Sequence, residues 1–278
     1  MDLSFYKLHS TGGDYIVVSF LHQKPPDFSL FPNAACRICR RRTGVGANGL
    51  LVLTQGFEHA LRVDFYPASG LHLALPGDAI LCMGRFAFDS GLAENTRISC
   101  ETDFGVVTVD AIDSFNFRID LGPPRNPRNN KEISPASNIN LNETVSVAGR
   151  RLPFTAIRLI TDYAVVNTDR RPRALRKLAL ELSQSETFAH RQAVFMRSVS
   201  NEEISVYSWA SAGNLPDHAG GAAACAAAGI LNGFCDNELS VKFRSYLLYV
   251  QWRQQEERLL VTAPTEYICS GSYYLESD

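Results

Sequence analysis

Apolar and polar residues along the chain fall into one order of elements twice. The first copy runs from Pro76 to Pro124 and the second from Gly220 to Pro264, an internal repeat of the kind that marks two similarly built halves. Each copy opens on a glycine-containing turn, Leu75-Pro76-Gly77-Asp78 in one and Ala219-Gly220-Gly221 in the other. Each turn leads into a predicted helix, over residues 79–89 and 222–231. The second helix is almost wholly alanine, glycine and cysteine; such small side chains let other backbone approach closely, so it is expected at the centre of its half. Gly91 and Gly233 stand where helix-ending glycines stand. Strands follow, at 97–101 and 105–109 in the first copy and at 239–243 and 247–250 in the second. Each copy closes on an alternating strand that ends near proline, 117–123 and 259–264, and the alternation marks these strands as half-buried. Helical stretches at 31–42 and 173–183 give each half a second helix.

The fold class this predicts is α+β: two pseudo-symmetric lobes, each a curved, mostly antiparallel sheet wrapped around a central helix, with a cleft between them. The N-terminal lobe is placed at 1–121 plus 265–278 and the C-terminal lobe at 122–264. A linker rich in Pro and Asn runs from Pro123 to Leu141.

Composition narrows the function. A hydrophobic share of 45% and a charged share of 20% in 278 residues are ordinary globular values. A formal net charge of -2 gives no polybasic surface, so neither nucleic acid nor a membrane is expected as partner. No apolar run is long enough to span a bilayer. The opening residues Met1 to Lys7 read as a first strand and not as a signal peptide, which makes a cytoplasmic protein the expectation. Arg40-Arg41-Arg42 reads as a solvated helix end. The seven cysteines (Cys36, Cys39, Cys82, Cys100, Cys225, Cys235 and Cys269) are odd in number and scattered, which argues against a disulfide framework. Cys36 and Cys39 form a C-x-x-C, but no second pair follows at zinc-ligand spacing, so two free thiols on one helix face are expected. No metal cluster, phosphate loop or nucleotide fingerprint stands out, and no metal or cofactor is expected.

Four ordered stretches resemble the diaminopimelate epimerase family, and the similarity covers nearly the whole chain. The run from Phe5 to Val18, FYKLHSTGGDYIVV, resembles the family's F-x-K-M-H-G-x-G-N-D-F-V-V. Arg41 to Leu51 resembles R-x-x-G-V-G-x-D-Q-L-L. Tyr66-Pro67-Ala68-Ser69-Gly70, with Pro76-Gly77-Asp78-Ala79 behind it, resembles F-N-A-D-G followed by C-G-N-G. Ala212-Gly213-Asn214 and the run Ala219 to Cys225 resemble A-G-E and A-C-G-S-G-A-C. The resemblance implies the two-lobed fold and cofactor-independent epimerisation of an amino acid in lysine biosynthesis. In that chemistry one cysteine thiolate removes the α-proton and a second cysteine thiol returns a proton to the opposite face, each at a helix N-terminus.

The same alignment takes that chemistry away. Pro76 and Gly220 occupy the two cysteine positions, and they are expected to face each other across the cleft. The substrate-holding positions carry Gly13, Gly49, Pro67, Thr161, Gln192 and Asn214 in place of the family's amides and glutamate. Gly77, Asp78, Gly221 and Ala222 occupy the positions around the two helix N-termini. Leu75, Pro67 and Ala47 should make the cleft more apolar than an amino-acid site. Both helix N-termini keep backbone N–H groups that could take an anion, the first disfavoured by the charge of Asp78 and the second without such an obstacle. Cys82 and Cys225 match family cysteines further along the helices and read as buried packing thiols. His9 and Asp14 read as structural, and His72, alternating with Leu71 and Leu73, as a surface histidine opposite a core face.

Asp217-His218 is the remaining acid–base pair. Asp217 to Cys225 also resembles the D-P-x-T-G-S-A-x-C stretch of the phenazine-biosynthesis isomerases, a family of the same fold that uses carboxylate chemistry. His218 replaces the proline and Gly220 the threonine, and that family's catalytic glutamate has no clear counterpart here. An exposed N-cap aspartate is the structural reading of Asp217. The leading expectation is a catalytically silent relative that binds a small ligand in the cleft or a protein partner. The alternative is an isomerase that uses Asp217, with His218, in place of the cysteines. An active two-cysteine epimerase would need both halves of the alignment to be displaced.

Overall fold

The computed structural model describes residues 2–93, 95–134, 141–147, 149–170, 172–188, 191–209, 217–243 and 245–275. They divide into two compact units, Met1–Ile119 with Ala263–Asp278, and Asp120–Thr262.

The first unit contains β1 (Asp2–Ser10), β2 (Gly13–Ser19), α1 (Phe31–Ile38), β3 (Gly49–Thr54), β4 (Leu61–Pro67), α2 (Gly77–Asp89), β5 (Arg97–Thr102), β6 (Gly105–Ala111) and β7 (Asn116–Asp120). β2 pairs with β3, and β4 with β5, in parallel; the other neighbours run antiparallel. Each parallel pair is joined through a helix, α1 for one and α2 for the other, because parallel neighbours need a long crossover. α2 packs on β1, β2, β5 and β6. Val109 of β6 comes so close that a Cβ on Gly84 would lie 2.5 Å from its Cγ1, so only glycine fits there. α1 lies over a second apolar cluster built from Phe5, Ile16, Val18, Leu50, Val52 and Tyr66.

The second unit also sets two helices among its strands. It contains β8 (Asn142–Val147), β9 (Arg150–Arg158), β10 (Asp162–Asn167), α3 (Pro172–Ser183), β11 (Gln192–Ser200), β12 (Glu203–Trp209), α4 (His218–Leu231), β13 (Glu238–Phe243), β14 (Tyr246–Arg253) and the start of β15 (Arg258–Tyr274), which belongs to the first unit from Ala263 on. β10 pairs with β11, and β12 with β13, in parallel across α3 and α4. α4 contacts β9 through β14 and is buried from His218 to Ile230, as its all-small composition predicts.

Several boundaries differ from the sequence expectation. α4 starts at His218 and not at residue 222, because Asp217 caps it. Gly91 and Gly233 take left-handed backbone with φ 72° and 73°, one position beyond the caps Ser90 and Asn232. β15 does not stop at Pro264. Its ladder with β14 ends at Thr262 and its ladder with β1 begins at Thr265, so the residue without an N–H falls between the two ladders. Leu71 and Leu73 are exposed and lie outside any strand, so the alternation inferred around His72 does not exist.

The three arginines are not a helix end either. α1 stops at Ile38, and the turn after it aims Arg41 at Asp14. The guanidinium donates to both carboxylate oxygens at 2.9 and 2.6 Å and to Asn48 Oδ1 at 2.8 Å, while Lys7 Nζ stands 3.2 Å from the same carboxylate. Burial works to raise the Asp14 pKa, but the hydrogen bonds from Arg41 and Lys7 outweigh it and hold the group below its ordinary 3.8. A depressed carboxylate stabilises the fold above the unfolded pKa and loses that contribution as pH falls through the folded value. Asp14→Asn should therefore cost about 1–2 kcal/mol at neutral pH, a modest figure because Arg41 is solvent-screened. In denaturant melts the gap between wild type and variant should be full above about pH 5 and close as pH drops below about 4; a gap that ignores pH would refute the assignment.

Candidate functional site at two helix N-termini

In the first unit the expected site positions gather at one end of the sheet. Gly13 begins β2, Gly49 begins β3 and Pro67 ends β4, and Gly49 stands opposite Pro67 in the ladder. The β1–β2 connection is a two-residue turn, Thr11-Gly12, with φ of 50° and 95°, the left-handed pair that tight hairpins use. This turn points Thr11 at α2. Pro76 is the N-cap of that helix and contributes no side-chain cap bond. Asp78, in the first turn and fully buried, accepts a hydrogen bond from Thr11 Oγ1 at 2.7 Å. A Cβ on Gly13 would lie 2.7 Å from Asp78 Oδ2. The aspartate fills the space of the side chain that Gly13 lacks. Phe65 does the same at Gly49, where a Cβ would lie 2.4 Å from its Cε2.

The second unit closes its helix in a related way. Asp217 caps α4, its Oδ1 accepting from the Gly220 N–H at 2.9 Å and its Oδ2 from the Tyr163 hydroxyl at 2.8 Å. Gln192 Oε1 accepts from the Asp217 N–H at 3.4 Å. Tyr163 and Gln192 are cross-strand partners at the start of β10 and β11, so the ladder delivers both side chains to the helix end. Asp217 is only 2% exposed. It is an N-cap, but a buried one, which corrects the exposed cap expected. It also corrects the view that this terminus is open to anions: a carboxylate already sits on its N–H groups. A Cβ on Gly220 would lie 2.2 Å from Tyr163 Oη and 2.3 Å from Asp217 Oδ2.

Other expected positions do not join these clusters. His218 is the first residue of α4, and its ring packs on Phe243 with centroids 4.3 Å apart. Thr161 is exposed in the turn before β10. Gly221 and Ala222 are buried in the first turns of α4. Asn214 lies outside the described residues. Cys82 and Cys225 are fully buried, and burial raises both thiols far above their ordinary pKa. Cys39 is likewise pushed up, to about 12. None of these three is a thiolate at neutral pH. Thr11 and Tyr163, which complete the two clusters, carried no signal of their own. Tyr163 does stand two residues beyond Thr161, one of the expected contacts.

Among the described residues one group could hold a metal ion, Asp64, His72 and Asp103. It lies in the first unit on an open cavity of about 940 Å³.

This architecture is that of the racemase and isomerase fold. A phenazine biosynthesis protein of the PhzF family from Enterococcus faecalis superposes with a TM-score of 0.65 at 12% identity, covering 99% of this chain and 100% of its own. A hydroxyproline epimerase from Agrobacterium vitis gives 0.68 at 12% identity, covering 98% and 92%. In sequence the chain is similar over its full length to diaminopimelate epimerases. That of Desulforudis audaxviator is 28% identical, over 98% of this chain and 99% of the relative. That of Moorella thermoacetica is 25% identical, over 99% and 100%. No protein-family model matches the chain.

Gly220→Ala should reveal the occupied terminus. The added methyl must displace the Tyr163–Asp217 pair, and overpacking of this kind costs roughly 1–3 kcal/mol. That cost should exceed the helix-propensity gain of about 1 kcal/mol. Combined with Tyr163→Phe, which removes the nearest atom, the penalty should be less than the sum of the two single changes. Additive costs in denaturant melts would show that the two residues do not meet.

Proposed function

We propose that the chain is an epimerase-like protein that has left two-cysteine chemistry and serves by binding a small ligand or a protein partner. One observation supports this reading above all: a buried aspartate of the chain itself stands at each helix N-terminus, Asp217 as the cap of α4 and Asp78 in the first turn of α2. Racemisation at an α-carbon needs one titratable group to take a proton and another to return one, and such groups supply roughly 10²–10⁴-fold each when they lie within hydrogen-bond reach. Pro76 and Gly220 offer no side chain that titrates. Thr11, Asp78, Tyr163 and Asp217 are spent on each other in pairs. With Gly13 and Gly49 backed by Asp78 and Phe65, the anchors that would hold an amino acid are missing as well.

The burial of Asp217 against Tyr163 also favours a second reading, an isomerase in which this carboxylate carries the proton. The assay for both is exchange of α-hydrogen with deuterated water, followed by proton NMR, for diaminopimelate, glutamate and proline. No exchange is expected, and calorimetry should detect no micromolar binding of either diaminopimelate stereoisomer. Pro76→Cys together with Gly220→Cys should stay inactive, since the new side chain at 220 meets Tyr163 and the substrate remains unheld. Exchange by the unmodified protein that Asp217→Asn abolishes would replace the silent reading with the carboxylate isomerase.

A further inference from the structure

Away from both helix termini, β4 presents Arg62, Asp64 and Tyr66 on the face opposite Val63, Phe65 and Pro67, since side chains alternate along a strand. Asp64 lies on the wall of the 940 Å³ cavity, together with Arg62, Tyr66, His72 and Asp103. Its side chain is 4% exposed, and its Oδ2 is buried with no hydrogen-bond partner. A buried carboxylate oxygen in that condition is costly unless something occupies the space before it. Beside the same carboxylate stands a set of donors suited to a cation. His72 Nε2 lies 3.5 Å from Asp64 Oδ1 and His72 Nδ1 lies 3.6 Å from Asp103 Oδ2. One ligand atom from each of the three side chains falls within 4.8 Å of the others.

The spacing argues for a shared ion over direct contacts. Separations of 3.5 and 3.6 Å are too long for good hydrogen bonds between imidazole and carboxylate. The two contacts use opposite nitrogens of one ring, of which a single ion takes one, and the set of one atom per side chain within 4.8 Å leaves room for that ion between the three residues. The surroundings hold the donors in place. Arg62 donates to Asp64 Oδ1 at 3.0 Å and also to Asp103 Oδ1, which fixes both carboxylates while leaving each Oδ2 unclaimed by the guanidinium. Tyr66 stacks on the His72 ring with centroids 5.3 Å apart and planes at 27°, and Phe104 packs on it at 6.1 Å. Outer partners that orient ligands in this way are a regular part of metal sites. In charge, two carboxylates against one guanidinium leave a surplus negative charge for a cation to neutralise.

We propose that Asp64, His72 and Asp103 bind one divalent cation of the zinc class, with its remaining coordination positions open to the cavity. One imidazole nitrogen and two carboxylate oxygens suit such an ion better than an all-oxygen ion such as calcium. The residues are 8 and 31 positions apart along the chain at the shortest and next spacing, so no sequence motif announces them.

The test uses the full chain, stripped with chelator and kept reduced. Isothermal titration with ZnCl2 should give one equivalent bound, and His72→Gln and Asp64→Asn should each weaken it by roughly 10–100-fold. CoCl2 should give a d–d spectrum without a thiolate-to-metal charge-transfer band, which separates this site from Cys36 and Cys39. His72 is partly exposed, so His72→Gln should melt like wild type without metal even if Asp64→Asn does not fold. Absence of binding, undiminished binding by folded His72→Gln, or a thiolate band in the cobalt spectrum would each overturn the proposal.

Discussion

The cap that Asp217 places on α4 is the interaction on which much of the second unit depends. A carboxylate that is only 2% exposed is tolerable in the interior when hydrogen-bond donors satisfy it. The Gly220 N–H and the Tyr163 hydroxyl supply them. Hydrogen bonds to charged groups contribute about 1.5–3 kcal/mol each, and the positive end of the helix adds to the attraction. These contacts fix where α4 starts, and α4 is the element against which β9 to β14 pack. They also tie three segments that are remote in sequence, at 163, 192 and 217, to one point.

The first unit reaches a comparable end by a different route. Its aspartate is inside the first turn and not at the cap, and its partner hydroxyl is a threonine from a hairpin turn and not a tyrosine from a strand. The residues at the two helix starts are therefore not one copied motif.

The elements were legible in the sequence where packing is periodic or composition is extreme. The small-residue stretch read as a helix over 222–231 does form a central helix, and Gly91 and Gly233 marked both helix ends. The start of α4 was misread, because the glycine turn at 220–221 looked like a helix boundary while the cap that sets it lay upstream at Asp217. The alternation around His72 suggested a strand that the chain does not form. The site was half legible. The expected positions could be named from the resemblance. What packs against them could not, because Thr11 reaches Asp78 and Tyr163 reaches Asp217 across 67 and 54 positions.

That distinction changes how the missing side chains are understood. In the sequence, Gly13, Gly49 and Gly220 are three positions at which the resemblance leads one to expect a functional side chain. In the structure each is matched to an occupant: Asp78 against Gly13, Phe65 against Gly49, and Tyr163 with Asp217 against Gly220. A side chain restored at any of these positions would meet an atom at 2.2 to 2.7 Å from its Cβ, well inside van der Waals contact. Restoring a ligand-holding residue therefore requires removing the occupant, and removing Asp217 or Tyr163 strips a buried hydrogen bond from the end of a central helix. The glycines and their occupants are one coupled change. Under the proposed reading, with Pro76 and Gly220 at the cysteine positions, such a chain would differ from an amino-acid site by packing as well as by those two residues.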